Sequence, residues 1–341
     1  MPNMNDVAKA AGVSQKTVSR VLNNEPHVQD AVREKVQRAA QVLGYVPSAS
    51  ARALRSKRSY TLHLVIHTNQ STYIHAIQAG ALQACQKEGY QLAVTLIDEA
   101  KLTERGFVAK AFDRLLTRAR PDGIILVSPL TNHPEAEEVL ARYGIPAVRI
   151  GPNDFEGSSG LTLKVDEQRA AHELTLQLIA QGHKRIGFVR GREDQNASHE
   201  RFAGFSSAMK MSGLELEANL IVPGDFQFEG GFLAGQRLLT LDTPPTAIFA
   251  SNDDMASGVL AAAHQMKVDV PEDLSIVGFD NADFASKLWP ALTTVQQPLL
   301  DLGEEAGRAL LTRKDGEPWC GKTNILPYQI IERGSVAAEL A

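Results

Sequence analysis

Apolar residues recur at helical spacing three times before position 45. Val7, Ala8 and Ala11 form the first stripe, with Asn3 placed to cap the helix through its side-chain oxygen and Gly12 placed to end it. Val18, Val21 and Leu22 form the second, behind the capping residue Ser14. Glu25-Pro26 then breaks the chain, and a third helix is expected over 30–43, where Val32, Val36, Ala39, Ala40 and Leu43 share a side and Gly44 closes the last turn. Two short helices joined by Gly12-Val13-Ser14 fit the helix-turn-helix plan, whose second helix enters the major groove. Its polar face carries Gln15, Lys16 and Arg20. Gln can bond an adenine edge at two points, and Lys or Arg can bond the O6 and N7 acceptors of guanine.

Beyond position 60 the pattern changes to short apolar runs alternating with helical stretches, which predicts parallel strands with helices on both faces. Strands expected at 62–66, 92–97, 123–127 and 147–150 make one doubly wound half. A second half is expected from strands at 161–165, 185–189, 220–222, 247–249 and 274–279, with helices such as 167–181 and 254–266. The segment 48–55 between the two regions has good helix formers and almost no apolar face. So short a helix is marginal in water and is expected to order only on binding.

A length of 341 residues suits two domains and a small third, and 43% hydrophobic with 22% charged residues is globular rather than disordered. No run approaches the roughly 18 apolar residues of a membrane span, and the first residues lack the pattern of a secretory signal, so a cytoplasmic location is expected. Cys85 and Cys320 are too few for a zinc cluster and read as free thiols. Neither a phosphate-binding Gly-rich loop, HExxH nor GxSxG occurs, so no catalysis, metal or cofactor is expected. Charge changes the picture most. Residues 1–60 hold ten Lys and Arg against four acids, a net +6, and subtraction from the totals of 35 and 40 leaves −11 for the rest. A basic module on an acidic body is the electrostatic footprint of a nucleic-acid binder with a second function.

The strings Asp6-Val7-Ala8, Ala11-Gly12-Val13-Ser14, Thr17-Val18-Ser19-Arg20-Val21-Leu22-Asn23, Arg33-Glu34-Lys35-Val36 and Leu43-Gly44-Tyr45-Val46-Pro47 resemble the headpiece of the lactose/galactose repressor (LacI/GalR) family of bacterial transcription regulators. The resemblance continues through Pro121-Asp122-Gly123, Gly182-His183-Lys184-Arg185, Ser251-Asn252-Asp253, Val277-Gly278-Phe279-Asp280 and Leu292-Thr293-Thr294-Val295. It implies an α/β chain with a three-helix headpiece at 1–46, a hinge helix and linker at 47–59, and a two-lobed body at 60–341 like that of periplasmic sugar-binding proteins. Lobe one is expected at about 60–157 and 292–323, and lobe two at about 158–290 and 324–335. The DNA face is assigned to Asn3, Ser14, Gln15, Lys16, Thr17, Ser19, Arg20, Asn23, His27 and Tyr45, joined by two hinge residues. By resemblance, Leu54 is a wedge that opens a base step and Ala51 lets paired hinge helices pack closely.

Effector contacts are carried over to Arg201, Asn252 and Asp280, with Phe226 as an aromatic lid and Tyr73 facing it from the other lobe. The stretch from His67 to His75 departs from the Asn-Pro-aromatic-aromatic string of many relatives, and Leu299 stands where some have a ring. Trp289 is read as core or dimer packing, and His183 as a turn residue. The implied function is a homodimeric repressor of pseudo-palindromic operator DNA, controlled by a small carbohydrate. The tail after Ile331 is read as too short for a tetramerising coil. The alternatives are a purine or other non-sugar corepressor, a sugar-binding transport protein and, last, an enzyme of sugar or nucleotide metabolism.

Overall fold

Asn3 begins the first helix as its chemistry requires: its Oδ1 accepts the amides of Asn5 (2.8 Å) and Asp6 (3.2 Å), while Asp6 Oδ2 accepts the amide of Asn3 (2.8 Å). This computed structural model describes residues 2–22, 25–45, 58–67, 72–151, 160–313 and 322–338. Asn23, Ala51, Leu54 and Cys320 lie outside the described residues. Helix α1 (Met4–Ala11) ends at Gly12, whose φ of 65° is left-handed. Ser14 Oγ accepts the Thr17 amide at 3.1 Å and opens α2 (Gln15–Leu22); α3 (Asp30–Leu43) ends at left-handed Gly44. Val7, Ala8, Val18, Val21, Val36 and Ala40 make a small core of their own, with Leu22, Ala39 and Leu43 packed around it. Residues 1–60 and 61–341 are separate compact units.

The second unit holds two parallel sheets. The first contains β1 (Thr61–His67), β2 (Gln91–Ile97), β3 (Gly123–Val127), β4 (Ala147–Ile150), β5 (Leu161–Lys164) and β11 (Lys322–Ile325), in the order β11-β5-β4-β3-β1-β2. The second contains β6 (Ile186–Val189), β7 (Ile221–Val222), β8 (Ala247–Ala250) and β9 (Ser275–Val277), in the order β7-β6-β8-β9. Strands β10 (Thr294–Gln296) and β12 (Gln329–Ile331) pair antiparallel in a ribbon outside both sheets.

Both faces of each sheet are covered by helices. On the first sheet, one face packs on α4 (Thr72–Lys87) and α11 (Leu299–Thr312), the other on α5 (Phe107–Ala119) and α6 (Pro134–Tyr143). On the second, α7 (Glu167–Ala180) and α8 (Asn196–Met211) cover one face, while α9 (Phe228–Leu239) and α10 (Asp253–Met266) cover the other. Burial on both faces explains why the central strands β1, β3, β4, β6 and β8 read as unbroken apolar runs rather than alternating ones. Among the described residues no helix is long and apolar enough to cross a membrane.

One strand differs from the expected grouping. Leu161–Lys164, read with the second series, pairs with β4 and β11 in the first sheet. Its apolar run and the helix after it are what a βα unit of either sheet would show; the pairing partner is a long-range choice that local pattern does not encode. Strand β11 had no apolar signal because all four of its residues are exposed at a sheet edge. His183 is no mere turn residue: it is buried, its ring 3.0 Å from both Thr246 Oγ1 and the Ala337 carbonyl. Trp289 is 88% exposed, which rules out core packing within the chain, and Leu299 is buried in the first lobe's core.

Helices α4 and α11 pack backbone to backbone, and glycines set their separation. A Cβ at Gly80 would overlap the Leu300 carbonyl oxygen, and one at Gly303 the Ile77 carbonyl. Backbone cannot rotate out of the way as a side chain can. Gly80→Ala should therefore force the helices apart and destabilise the second unit by about 1–3 kcal/mol. Differential scanning calorimetry should show its melting temperature lowered by several degrees, with that of a helix-surface control such as Gln86→Ala unchanged.

Candidate functional site

A cleft opens where strands of both sheets end, the usual ligand position in open α/β sheets. His67 closes β1, Ser128 follows β3, Gly151 follows β4, Asn252 follows β8, and Asp280 lies beyond β9; all five border the cleft. Tyr73, Arg201 and Phe226 line it as well, so the five residues assigned to an effector from sequence come together in one cavity. Glu167, Arg192, Gln195, Asp225 and Gln227 complete its polar wall.

Arg201, on α8, is the centre of the wall and is 3% exposed. Its Nε donates to Glu167 Oε2 at 2.9 Å, its Nη1 donates to the Ser251 carbonyl, and its Nη2 lies 3.5 Å from Asp280 Oδ1. Its guanidinium carbon sits 3.9 Å from the Phe279 ring centroid and 5.8 Å from that of Phe226. Glu167 begins α7, a place where sequence offers only the reading of a helix-start acid. Its pairing with Arg201 spans 34 residues and had no local signal.

Asn252 caps α10 with Oδ1 on the Met255 amide (3.0 Å) and donates from Nδ2 to the Phe226 carbonyl (3.0 Å). Its amide is thus largely committed to holding the wall, with a single N–H left over. Phe226 has a left-handed φ of 65°, and Gly191 leaves the room its ring occupies. Tyr73 approaches Gly151 from the first lobe, and burial beside Glu167 and Asp280 pushes its phenol up.

Asp280 and Asn281 are both left-handed (φ 111° and 55°), an arrangement that costs of order 1–3 kcal/mol per residue and persists only where the surroundings impose it. The Asp280 amide donates to the Val295 carbonyl (2.8 Å), and its Oδ1 accepts Gln297 Nε2 (2.7 Å). Arg333 donates to Asn281 Oδ1 (2.6 Å), and the Ala282 amide donates to Asp253 Oδ2 (2.7 Å). Asp253 Oδ1 also accepts the Thr294 hydroxyl at 2.6 Å. This fully buried carboxylate, which sequence reasoning missed, ties α10, the Asp280 turn and crossing strand β10 together. Burial, with the nearby Asp280 charge, drives Asp253 up to about 8; burial drives Asp280 up to about 7 against the opposing pull of Arg201.

At the rim, Arg192 is gripped by Asp194 (Nε–Oδ1 2.9 Å, Nη2–Oδ2 2.7 Å) and reaches Glu99 Oε1 at 2.7 Å. Glu99 Oε2 is 3.4 Å from His67 Nδ1, and burial holds His67 below its ordinary range. His67 begins the stretch that departs from the family string.

In the headpiece, Ser14, Gln15, Lys16 and Arg20 are exposed, with Thr17 and Ser19 half-buried beside them. Ser14 and Thr17 hydroxyls pair at 2.9 Å. Arg20 lies 3.6 Å from Glu25, a surface pair that is easily given up. His27 is exposed with φ 74°, Asn3 is engaged in its cap, and Tyr45 packs partly against the headpiece core.

Residues 3–48 match the family model for bacterial regulatory proteins of the lacI family, and residues 175–336 match a periplasmic binding protein-like domain. The chain is similar to the ribose operon repressor of Escherichia coli (strain K12), at 35% identity over 92% of this chain and 93% of that one. It is also similar to the HTH-type transcriptional repressor CytR of the same strain, at 34% identity over 98% and 96%. Among solved structures it resembles a Lac repressor dimer bound to operator and the anti-inducer ONPF, with a TM-score of 0.82, 26% identity and 99% of each chain covered. These relatives are repressors, not enzymes.

The raised carboxylates carry a pH signature. Asp280 ionises near 3.8 when unfolded and near 7 when folded, so between these values the folded chain retains a proton that the unfolded chain has lost. Its contribution to stability is full below about pH 4 and is lost as pH rises through about 7. Asp280→Asn, which keeps an acceptor for Gln297, should gain melting temperature relative to the parent as pH goes from about 5 to about 8. A pH-independent offset would mean that Asp280 is ionised throughout.

Proposed function

The chain belongs to the LacI family of bacterial regulatory proteins, and from that premise we propose that it is a homodimeric transcriptional repressor whose operator affinity is set by an uncharged sugar in the cleft. The observation that carries this reading is the state of the two guanidiniums lining the cleft. Arg201 is met by Glu167 and Asp280, and Arg192 by Asp194 and Glu99. Among the described lining residues there is no lysine, and three carboxylates stand beside those two arginines. A phosphate or carboxylate ligand would enter without a cation to receive it, whereas sugar hydroxyls can both donate to carboxylates and accept from amides and guanidinium N–H groups. Phe226 offers a face for the apolar side of a sugar ring.

Control follows by linkage. A ligand that prefers one arrangement of the lobes shifts the DNA-binding equilibrium by its differential affinity, a coupling of about 1–3 kcal/mol in typical cases. Apposed headpieces of a dimer would match two half-sites of a pseudo-palindrome.

A thermal-shift panel of pentoses, hexoses, disaccharides, purines, nucleosides and sugar phosphates tests the effector class. A sugar at 100 times its dissociation constant adds about 2.7 kcal/mol of stability. A neutral sugar should raise the melting temperature and its phosphate ester should not; a response confined to purines or to phosphorylated sugars would overturn the reading. With the sugar that responds best, Arg201→Ala should bind about tenfold to a hundredfold more weakly while still binding operator.

The headpiece carries a separate expectation. If Arg20 reads a base edge, Arg20→Ala should cost about 1–3 kcal/mol on specific operator and little on random DNA. Fluorescence anisotropy on both duplexes at one salt concentration measures it, and equal losses on the two would reduce Arg20 to a phosphate contact.

A further inference from the structure

Glu99 and Arg192 belong to opposite lobes. Glu99 lies in the single 3-10 turn Glu99–Lys101 that follows β2 of the first sheet, and Arg192 in the connection after β6 of the second. Their side chains meet at 2.7 Å across the mouth of the cleft. Each is set in place from behind by its own lobe. Asp194 accepts from Nε and Nη2 along one edge of the Arg192 guanidinium. His67, at the end of β1, lies 3.4 Å from the second oxygen of Glu99 without a hydrogen bond to it, and Asp98 Oδ1 accepts the Ala100 amide at 3.2 Å to fix the turn. Glu99 is 11% exposed and Arg192 30%, so the pair is sheltered from solvent on one side.

We infer that this ion pair is a latch that holds the two lobes closed before any effector enters, a positioning role for Glu99 and Arg192 that is separate from any contact Arg192 makes with a ligand. The inference rests on the cleft being the effector site, but the latch itself needs only the geometry. Arg192 is held by Asp194 within its own lobe, so little of its side-chain entropy is lost when the two meet. Any rigid-body opening must pull the carboxylate away from the guanidinium, and the chain supplies hinges for such a motion in the segments that cross between the sheets, including β10. Asp225, which also borders the cleft, adds to the negative field around Arg192, while His67 lies on the far side of Glu99.

Small-angle X-ray scattering of the full ligand-free chain tests the latch, using the parent protein, Glu99→Gln, Arg192→Gln and the double variant at one concentration. Each single variant should have a larger radius of gyration than the parent, and the double variant should be no larger than the more open single one, because both remove the same contact. Arg192→Lys, which keeps the charge, should recover most of the parent curve. Unchanged radii in both single variants, or increments that add in the double variant, would overturn the proposal. Should Glu99→Gln fail to fold, the half-exposed partner site keeps the comparison of Arg192→Gln with Arg192→Lys available. No effector is present in the measurement, so its outcome is independent of whether the cleft takes a sugar.

Discussion

A guanidinium cannot be taken out of water alone, and Arg201 is almost wholly buried, so the cleft must be built around its neutralisation. Three separate parts of the second lobe answer that demand: Glu167 at the start of α7, the Ser251 carbonyl at the end of β8 and Asp280 beyond β9. Phe279 lies under the cationic plane. Removing either acid would leave charge buried without its partner, which is far costlier than removing a surface pair. The same bonds that stabilise the lobe fix the directions of the remaining N–H groups, so the wall of the cleft is oriented before a ligand arrives.

That requirement propagates outward. Asp280 reaches Arg201 from a turn in which two successive non-glycine residues are left-handed, and such a turn does not persist unaided. Asp253, Arg333 and the Val295 carbonyl each hold one part of it, and Asp253 also binds Thr294 on a crossing strand. The ligand wall and the connection between lobes therefore share a buried carboxylate. Through Asp253 the Asp280 turn is bonded directly to the segment that connects the two lobes, so a ligand that moved the turn would pull on that connection.

The headpiece obeys simpler rules. Its first two helices begin at side-chain caps, its first and third stop at left-handed glycines, its core is a handful of small aliphatic side chains, and Gln15, Lys16 and Arg20 stand exposed on α2. Its caps and helix stops are local, and its core closes over residues no further apart than Val7 and Ala40. The second unit is the reverse: its sheets and its cleft depend on pairs of residues tens to hundreds of positions apart.

That difference decides what could be read from the chain alone. The three headpiece helices, with their caps at Asn3 and Ser14 and stops at Gly12 and Gly44, were legible because capping and helical periodicity act within a few residues. The alternation of strands and helices was legible for the same reason, and the family resemblance brought Tyr73, Arg201, Phe226, Asn252 and Asp280 to notice one at a time, only Asn252 and Asp280 lying within matching strings. Which strand joins which sheet was not, and so 161–164 was grouped with the wrong half. Nor did sequence reveal Glu167 as the partner of Arg201, Asp253 as the tie between the Asp280 turn and β10, or the meeting of Glu99 with Arg192. An isolated acid in a sequence looks like a solvated surface charge or a helix cap; only when the chain folds is it seen to be desolvated against a particular cation, and the energy of that pairing belongs to the tertiary structure.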